Sequence, residues 1–520
     1  MATRRVKRYK RKYQVDPTTL RVKVLLPQMY PRLELALYDL MEVEVIAAAV
    51  LSDLAVPSEL WDYYYAFTKR LTRLGLEFWG STLEAEIELL IREFTIRGLD
   101  PDVLKAIYEK MMPWLMEKRG LLLPALPPGI YLSTAATPTD FSNFPLVRGS
   151  ASRRAFWHKG YGYIFFPEYD PELDEAGDII YNSTSDGENW VKPEIGNPVI
   201  TRDERGDTAW AYQVDFYYDG TYIYAVVAEQ RVNGVVKIKR GTPSDGTITW
   251  GPWVTIVSAS QDPLKKMYVS ITKTANGFFW VAYVNMDAAY YYDVYCVRST
   301  SPNSIDNWEN PVLIYDAVAR GFRNVAVLPL STSSVYIIYY NYTGPPLYQI
   351  RLLGKTFDGS NVGPQEEVTP VDINNDRAWS AVSDPNYNIC VIYQRWETPE
   401  KIFIRRRVNG EWEDPIETPI VPAPCYFNGF SLTATSSQKL IIFYNEEYSD
   451  PYFIFYYRTW DPSEGFSPPV TLTGTEEMIS NYNQEICSNY QLQTGTLIGL
   501  WFNTIGPPSP LRVVIVSGLT

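Results

Sequence analysis

The segment STSDGENWVKPEI, residues 183–195, joins an Asp/Gly turn to a tryptophan, a proline and a run that favours a β-strand. Five related segments follow it, each with a turn, an anchor residue and a nearby proline: PSDGTITWGPWVTI (243–256), SPNSIDNWENPVLI (301–314), FDGSNVGPQEEV (357–368), VNGEWEDPIETPI (408–420) and DPSEGFSPPVTL (461–472). The anchors at 190, 250, 308, 362, 412 and 466 lie 60, 58, 54, 50 and 54 residues apart. Such regular spacing indicates that one supersecondary unit is repeated.

Each unit also contains one strongly apolar segment, which follows a turn. These segments are YGYIFF from 161, TYIYAVVA from 221, FFWVAYV from 278, SVYIIYY from 334, NICVIY from 388, KLIIFY from 439 and TLIGLWF from 496. Four-stranded units arranged in a ring are the blades of a β-propeller. Seven apolar strands and six anchor turns predict an all-β domain of seven blades, in which residues 129–137 (GIYLSTAAT) supply the outer strand of the last blade and close the ring.

The first part of the chain follows the period of helices instead. Start signals at Pro31, Pro57, Ser81 and Asp100 predict that this part is all-α, with about four helices. The Pro-rich segment 121–128 cannot continue a helix and is expected to be a stiff linker. The predicted domains are therefore a basic arm (1–15), a helical docking domain (16–120), the linker (121–128) and the propeller (129–520).

Charge is distributed unevenly along the chain. Residues 1–126 carry 19 basic and 17 acidic side chains, whereas residues 127–520 carry 28 basic and 43 acidic ones. An acidic propeller argues against nucleic acid as its ligand, because phosphate contacts need cations. Only the basic residues 1–13 could bind nucleic acid or another acidic partner. No membrane span and no secretory signal are expected, since no apolar segment is long and uncharged enough.

Cysteine and histidine usage limits the chemistry of the chain. The four cysteines, Cys296, Cys390, Cys425 and Cys487, are far apart in sequence, and His158 is the only histidine. Neither a zinc site nor a Cys/His nucleophile is expected, and the thiols are interpreted as buried or as a disulfide between neighbouring blades. No cofactor is predicted, although Asp170, Asp174 and Asp178 could hold Ca²⁺ or simply form a solvated acidic loop.

The anchor turns resemble degenerate Asp-boxes, the S-x-D-x-G-x-T-W turns of sialidase-type propellers. In the first turn Ser183, Gly187 and Trp190 match, while the acidic Asp186 stands one position late. The resemblance implies a structural role, in which the acidic side chain binds turn amides and the aromatic residue packs between sheets. The structural anchors it implies are Trp190, Trp250, Trp308 and Trp412. No R-I-P motif is present, so no catalytic residue is carried over. The chain is expected not to be an enzyme, with a sialidase-type glycoside hydrolase as the alternative.

In a propeller, the loops between blades and those between the second and third strands share one face. The cations predicted on this face are Arg148, Arg205, Arg320, Arg323 and Arg377, with Lys265 and Lys266, and the tyrosines are Tyr290, Tyr291 and Tyr292, with Tyr342, Tyr348 and Tyr448. Aromatic rings stack on sugar faces and arginine pairs with carboxylates, so the hypothesis is an acidic-glycan site. Scattered, solvated side chains are the alternative.

This layout predicts a structural and recognition protein of a virion or tail surface. Residues 1–120 are expected to dock onto other assembly proteins, and a homo-oligomer is expected. The propeller is expected to bind a host-surface glycan or protein. The predicted location is the virion or the extracellular surface of an assembly, or the cytoplasm if the protein is not viral. A protein-interaction scaffold is a further alternative, and abundant tyrosine with one histidine favours a thermophilic host.

Overall fold

The structure is a computed structural model. It describes residues 14–15, 22–23, 47–48, 51–54, 56–77, 80–110, 129–136, 154–170, 175–206, 214–262, 264–286, 292–317, 325–343, 349–370, 372–373, 379–395, 401–420, 430–435, 439–449, 452–472, 477–478, 487–488, 496–502 and 511–517. The chain divides into two compact units, Met1–Leu123 and Pro124–Thr520.

The first unit is mainly helical. Its helices are a 3₁₀ turn (Ser58–Leu60), α1 (Trp61–Glu77), α2 (Gly80–Ile96) and α3 (residues 101–110), and residues 47–48 and 51–53 are also helical. A two-stranded sheet pairs β1 (Gln14–Val15) with β2 (Val22–Lys23), where Val15 lies opposite Val22. The prediction of an all-α unit is therefore wrong, because β-branched residues favour an extended backbone at these positions. The helix predicted from Pro31 and the linker 121–128 lie outside the described residues.

The apolar faces of these helices share one core. Tyr64 and Phe67 of α1 lie in the same buried cluster as Leu90 and Phe94 of α2. Residues three or four places apart lie on one side of a helix, so each helix presents a continuous apolar stripe. Asp100 caps α3 and donates its backbone N–H to the Tyr64 hydroxyl at 3.1 Å, which ties the start of α3 to α1. None of the described helices combines the length and apolar character needed to cross a membrane.

The second unit is a β-propeller of antiparallel sheets. It begins with β3 (Gly129–Ala136). Six blades follow, each formed by one continuous stretch of chain. Blade 1 contains β4 (Ala155–His158), β5 (Tyr161–Asp170) and β6 (Glu175–Thr184). Blade 2 contains β7 (Val214–Tyr218), β8 (Ile223–Ala228), β9 (Val236–Ser244), β10 (Thr247–Trp250) and β11 (Val254–Val257). Blade 3 contains β12 (Lys265–Lys273), β13 (Phe279–Met286), β14 (Tyr292–Arg298) and β15 (Val312–Tyr315).

The remaining blades repeat this pattern. Blade 4 contains β16 (Val325–Pro329), β17 (Val335–Thr343), β18 (Gln349–Phe357) and β19 (Glu366–Glu367). Blade 5 contains β20 (Trp379–Ser383), β21 (Ile389–Arg395), β22 (Lys401–Val408), β23 (Glu411–Trp412) and β24 (Ile416–Glu417). Blade 6 contains β25 (Phe430–Ala434), β26 (Leu440–Ser449), β27 (Tyr452–Asp461), β28 (Gly465–Phe466), β29 (Val470–Thr471) and β30 (Glu477–Met478). Second strands such as β8 are buried along their whole length, because a neighbouring sheet covers each of their faces.

A closing sheet completes the ring. Its strands are β31 (Cys487–Ser488), β32 (Leu497–Phe502), β33 (Leu511–Ser517) and, at the outside, β3. β3 runs antiparallel to β33, with Gly129 opposite Ser517 and Ala136 opposite Leu511. This pairing covers the backbone edge that β33 would otherwise expose.

The predicted count of seven blades is corrected to six. The number of blades equals the number of anchor turns and not the number of apolar strands, because the apolar strand from 496 belongs to the closing sheet. That sheet is assembled from two separate segments and shows no anchor turn in its described part. The all-β prediction is also wrong, since a short helix, α4 (Arg202–Arg205), lies between blades 1 and 2 and is capped by Thr201 and Glu204.

The anchor tryptophans lie between neighbouring sheets. Trp190 packs against the cluster shared by blade 1 and the closing sheet, and Trp250 against the cluster shared by blades 1 and 2. Trp308 packs between blades 2 and 3, and Trp412 between blades 4 and 5. In each case the anchor turn covers the sheet that precedes its own blade. The repeated turn therefore sets how successive sheets stack.

Candidate functional site

The strand order gives the propeller two different faces. In each blade the hairpin between the first and second strands, and the turn after the third strand, lie at the same end of the sheet. We call this end the turn face, and the opposite end, with the remaining connections, the loop face. The turn face includes the turns at 159–160, 219–222, 274–278, 330–334 and 384–388.

A cavity of about 360 Å³ opens on the turn face. Blades 2, 3, 4 and 5 all contribute to its wall. The lining residues are Tyr217, Asp219, Lys273, Thr274, Ala275, Gly277, Asn303, Pro329, Ser383, Asp384, Pro385 and Tyr387. Most of them follow the first strands β7, β12, β16 and β20, so the cavity lies where the ring is narrowest. A cavity of this size can hold a small ligand such as one or two sugar residues.

One wall of the cavity carries a buried ion pair. Asp219 Oδ2 accepts from Lys273 Nζ at 2.9 Å and from the Tyr224 hydroxyl at 3.1 Å. Its Oδ1 accepts from the backbone N–H groups of Thr221 (3.0 Å) and Tyr222 (2.8 Å). Burial opposes ionisation of Asp219, but these amides and the ammonium outweigh it and lower its pKa. Its roughly four lone-pair sites are filled, so Asp219 fixes the turn and holds Lys273.

A second buried carboxylate lies on the blade 5 wall. Asp384 is 4% exposed. Its Oδ1 accepts from the backbone N–H groups of Asn386 (2.8 Å) and Asn388 (2.9 Å), and its Oδ2 accepts from the Asn388 side-chain amide (2.8 Å). All three donors are uncharged. The carboxylate therefore shapes the turn at 384–388, and its negative charge remains beside the cavity.

Three other polar groups on the wall are open, which means that some or all of their hydrogen-bonding capacity is unused within the described part of the chain. Lys273 Nζ has three N–H donors, and its only hydrogen bond found within the described part of the chain is the one to Asp219. The Asn303 side-chain amide and the Tyr387 hydroxyl form no hydrogen bond with any described residue. The backbone N–H of Asn303 donates to Gly277 O at 2.8 Å, which holds the backbone at Asn303 against the turn at 274–278. The cavity therefore offers donors and acceptors to a ligand.

The rim of the cavity is held together by bonds between blades. Ser383 Oγ donates to Pro329 O at 2.7 Å, which joins blade 5 to blade 4. The backbone N–H of Asn276 donates to Thr332 O at 3.0 Å, which joins blade 3 to blade 4. The buried ion pair between Asp219 and Lys273 joins blade 2 to blade 3. A rim fixed in this way presents its polar groups to a ligand at little entropic cost.

Most of the residues predicted to bind a ligand cannot be placed at this site. Arg205 is buried and donates to Gly177 O, and Tyr292 is buried in the cluster shared by blades 3 and 4. Lys266 is fully buried and donates to the backbone oxygens of Asp262 and Leu264. Seven others lie outside the described residues: Arg148, Arg320, Arg323, Arg377, Tyr290, Tyr291 and Tyr348. Lys265, Tyr342 and Tyr448 lie in the strands β12, β17 and β26. Within the described part, the structure brings none of the predicted set into the turn-face cavity.

Of the three proposed calcium ligands, the structure describes the side chain of Asp178 alone. Asp178 Oδ1 accepts the backbone N–H of Arg202 at 2.8 Å and so supports the start of α4. Asp170 is the last residue of β5, and Asp174 lies outside the described residues. Among the residues that the structure describes, no cluster of histidine, cysteine or acidic side chains could hold a metal ion.

Two of the four cysteines can be assessed. Cys296 and Cys390 are both buried free thiols. Burial raises the pKa of each thiol, which leaves it protonated and unreactive at neutral pH. Cys425 lies outside the described residues.

Sequence reasoning missed the cavity because its residues look like ordinary turn formers. The turns YDG (218–220), ANG (275–277) and DPNYN (384–388) have compositions that are typical of hairpins and give no sign of a ligand site. Their shared signal is that each directly precedes a strongly apolar strand, which places all of them at the same end of neighbouring blades.

No known protein family matches the chain, and no curated protein matches its sequence. Among solved structures it is similar to the lectin BP39L from Burkholderia pseudomallei, at 10% identity over 73% of this chain and 98% of that chain, with a TM-score of 0.47. It is also similar to a PL25 ulvan lyase, at 11% identity over 73% and 94% of the two chains and a TM-score of 0.43. An α-L-arabinanase from Penicillium chrysogenum is also similar, at 15% identity over 60% of this chain and 93% of that chain, with a TM-score of 0.40. Likenesses this distant carry no information about activity.

Proposed function

We propose that this protein is a structural recognition protein whose propeller binds a glycan at the turn-face cavity. The observation that carries the proposal is the combination of three open polar groups with two tyrosine side chains around one cavity. The open groups belong to Lys273, Asn303 and Tyr387, and the second tyrosine is Tyr217. Sugar rings have apolar faces and many hydroxyls, so aromatic surface beside hydrogen-bonding groups matches their chemistry.

The carboxylates of the cavity favour binding over cleavage. Glycoside hydrolysis generally uses one carboxyl group as an acid and another as a base or nucleophile. The oxygens of Asp219 are filled by four donors, and both oxygens of Asp384 are engaged by its own turn. Asp219 therefore has no lone pair left to attack a sugar or to activate water, and three of the roughly four lone-pair sites of Asp384 are occupied within its turn.

The first unit fits a role in assembly. We propose that Met1–Leu123 docks the chain onto other proteins of a larger assembly, such as a virion or tail. Binding at a single shallow cavity is weak, and display of many copies would raise the overall affinity. Arg320, Arg323 and Tyr291, which the sequence predicts to lie in loops on one face, remain a second proposed site, for an acidic glycan.

A glycan array probed with the full-length protein tests the proposal. Asn303→Ala removes an open amide from the cavity and should weaken binding roughly tenfold, the equivalent of one hydrogen bond. Asn409→Ala is the matched control, because both asparagines occupy turns after third strands with positive φ (57° and 52°) and only Asn303 lines the cavity. The double variant Arg320→Ala/Arg323→Ala reports separately on the second proposed site.

The possible results separate the sites and the activities. Loss of binding in Asn303→Ala but not in Asn409→Ala supports the cavity as the site. Loss of glycan binding in the arginine double variant alone would instead support the second proposed site and not the cavity. An array without any bound glycan would overturn glycan recognition. Turnover of a fluorogenic glycoside that disappears in Asp384→Asn would show that the protein is an enzyme.

A further inference from the structure

We infer that the turn-face cavity selects uncharged sugar residues and discriminates against the corresponding uronic acids. This inference rests on the proposed glycan binding and specifies the chemical class of the ligand. It follows from the charges on the wall of the cavity, which belong to Asp219, Lys273 and Asp384. The charges of Asp219 and Lys273 cancel each other, whereas the charge of Asp384 is not balanced by a cation on the described part of this wall.

The positive charge of Lys273 is neutralised by the carboxylate of Asp219. Its ammonium lies 2.9 Å from Asp219 Oδ2, and the two side chains are only 16% and 8% exposed. The ammonium also lies 5.0 Å from the centre of the Phe279 ring. Because its countercharge is built in, Lys273 acts on a ligand mainly through its remaining N–H donors. Those donors can bind a hydroxyl oxygen.

The negative charge of Asp384 has no such partner. Its three hydrogen-bond donors are neutral amides, and no ion pair of Asp384 is found within the described part of the chain. At 4% exposure, solvent screens this charge poorly, so its field reaches the cavity that the residue lines. A ligand carboxylate would enter a cavity whose described lining carries a net charge of −1. It would therefore be repelled, whereas a hydroxymethyl group at the same position would not.

The open groups match a neutral polyol. Lys273 provides donors, while the Asn303 amide and the Tyr387 hydroxyl each provide both a donor and an acceptor. Sugar hydroxyls also donate and accept, so they can satisfy all three groups at once. A carboxylate at carbon 6 only accepts, so it cannot donate to the Asn303 amide oxygen or the Tyr387 hydroxyl, whereas a hydroxymethyl group at that position can.

Saturation-transfer NMR on the full-length protein tests this selection. The probes are the methyl glycosides of glucose, galactose and mannose and of the three matching uronic acids, each pair differing only at carbon 6. We expect each hexose that binds to do so about five- to tenfold more tightly than its uronic acid, as expected for one partly screened charge. Asp384→Asn removes the unpaired charge and should shrink this ratio by strengthening binding of the uronic acid.

Asp358→Asn is the matched control. Asp358 also accepts two backbone N–H groups and one asparagine side-chain amide, but it is not part of the cavity wall. It should leave the ratio unchanged. A uronic acid that binds as tightly as its hexose, or tighter, overturns the charge selection and leaves glycan binding intact. An absence of saturation transfer to every probe overturns both the selection and the cavity as a glycan site.

Discussion

Arg407 of blade 5 forms two parallel hydrogen bonds with Glu366 of blade 4, at 2.7 Å from Nε to Oε2 and 2.8 Å from its terminal nitrogen to Oε1. Oε2 of the same carboxylate also accepts from Trp412 Nε1 at 3.0 Å and from the Tyr336 hydroxyl at 3.1 Å. One carboxylate on an outer strand thus joins two blades and positions an anchor tryptophan.

We expect Glu366→Gln to lower the free energy of unfolding by about 2 kcal/mol, because the Arg407 side chain is 8% exposed and would lose its countercharge. Glu417→Gln is the control, since its partner Lys401 is 39% exposed and Glu417 is 52% exposed. That pair should contribute less than about 1 kcal/mol. Urea unfolding of both variants measures the difference. Equal effects would mean that the bridge between blades 4 and 5 adds nothing beyond a surface ion pair.

Trp190 connects blade 1 to the closing sheet, because its Nε1 donates to Ser133 Oγ of β3 at 2.8 Å. A double-mutant cycle with Trp190→Phe and Ser133→Ala should give a coupling energy of about 1 kcal/mol, the worth of one hydrogen bond. Trp308 donates to Ile305 O inside its own turn, so Trp308→Phe and Ser133→Ala should be additive. Additivity in both cycles would show that the Trp190 bond does not stabilise the closure.

His158 predicts a specific dependence of stability on pH. Burial, with a smaller contribution from Lys159, lowers the pKa of His158 from 6.5 to about 4, and its Nδ1 lies 2.5 Å from the Tyr218 hydroxyl. In the unfolded chain His158 is protonated below about pH 6.5, whereas in the folded chain it is protonated only below about pH 4. Stability should therefore fall by about 3 kcal/mol as the pH drops from 6.5 to 4, and should be unaffected by this group above pH 6.5.

The measurement is urea unfolding between pH 4 and pH 7, with an NMR titration of the imidazole as the direct check. His158 is the only histidine, so a single imidazole signal reports its pKa. In His158→Gln the decline between pH 6.5 and pH 4 should become smaller by the amount that the imidazole contributes. A titration midpoint near 6.5 in the folded protein would contradict the burial of this ring.

Two truncations test the closing sheet. A protein lacking residues 1–123 retains β3 and should unfold cooperatively, because it corresponds to the second compact unit. A protein lacking residues 1–137 also loses β3, so the edge of β33 becomes exposed and aggregation is expected. Size-exclusion chromatography and thermal unfolding compare the two. If the shorter protein is monomeric and as stable as the longer one, β3 is not needed for closure.

The repeated turns of this protein were predictable because their causes are local. A turn such as Asp358-Gly359 is set by side-chain oxygens that bind amides two and three residues later, and glycine supplies the positive φ of 98°. Apolar strands such as β8 are equally visible, since burial on both faces leaves no polar position. Helices α1 and α2 follow from apolar residues three and four places apart in the same way.

The blade count and the cavity depend on distant contacts. Whether the strand from 496 belongs to a blade or to a closing sheet is decided by its pairing with β33, and through β33 with β3. The cavity exists because turns from four blades converge, so Asp219 meets Lys273 across 54 residues of chain. Sequence alone determined the repeating unit, because hydrogen bonds within turns and the period of apolar residues act over a few positions. Only the tertiary structure decided which units close the ring and which side chains share a wall, because those contacts depend on the geometry of the whole ring.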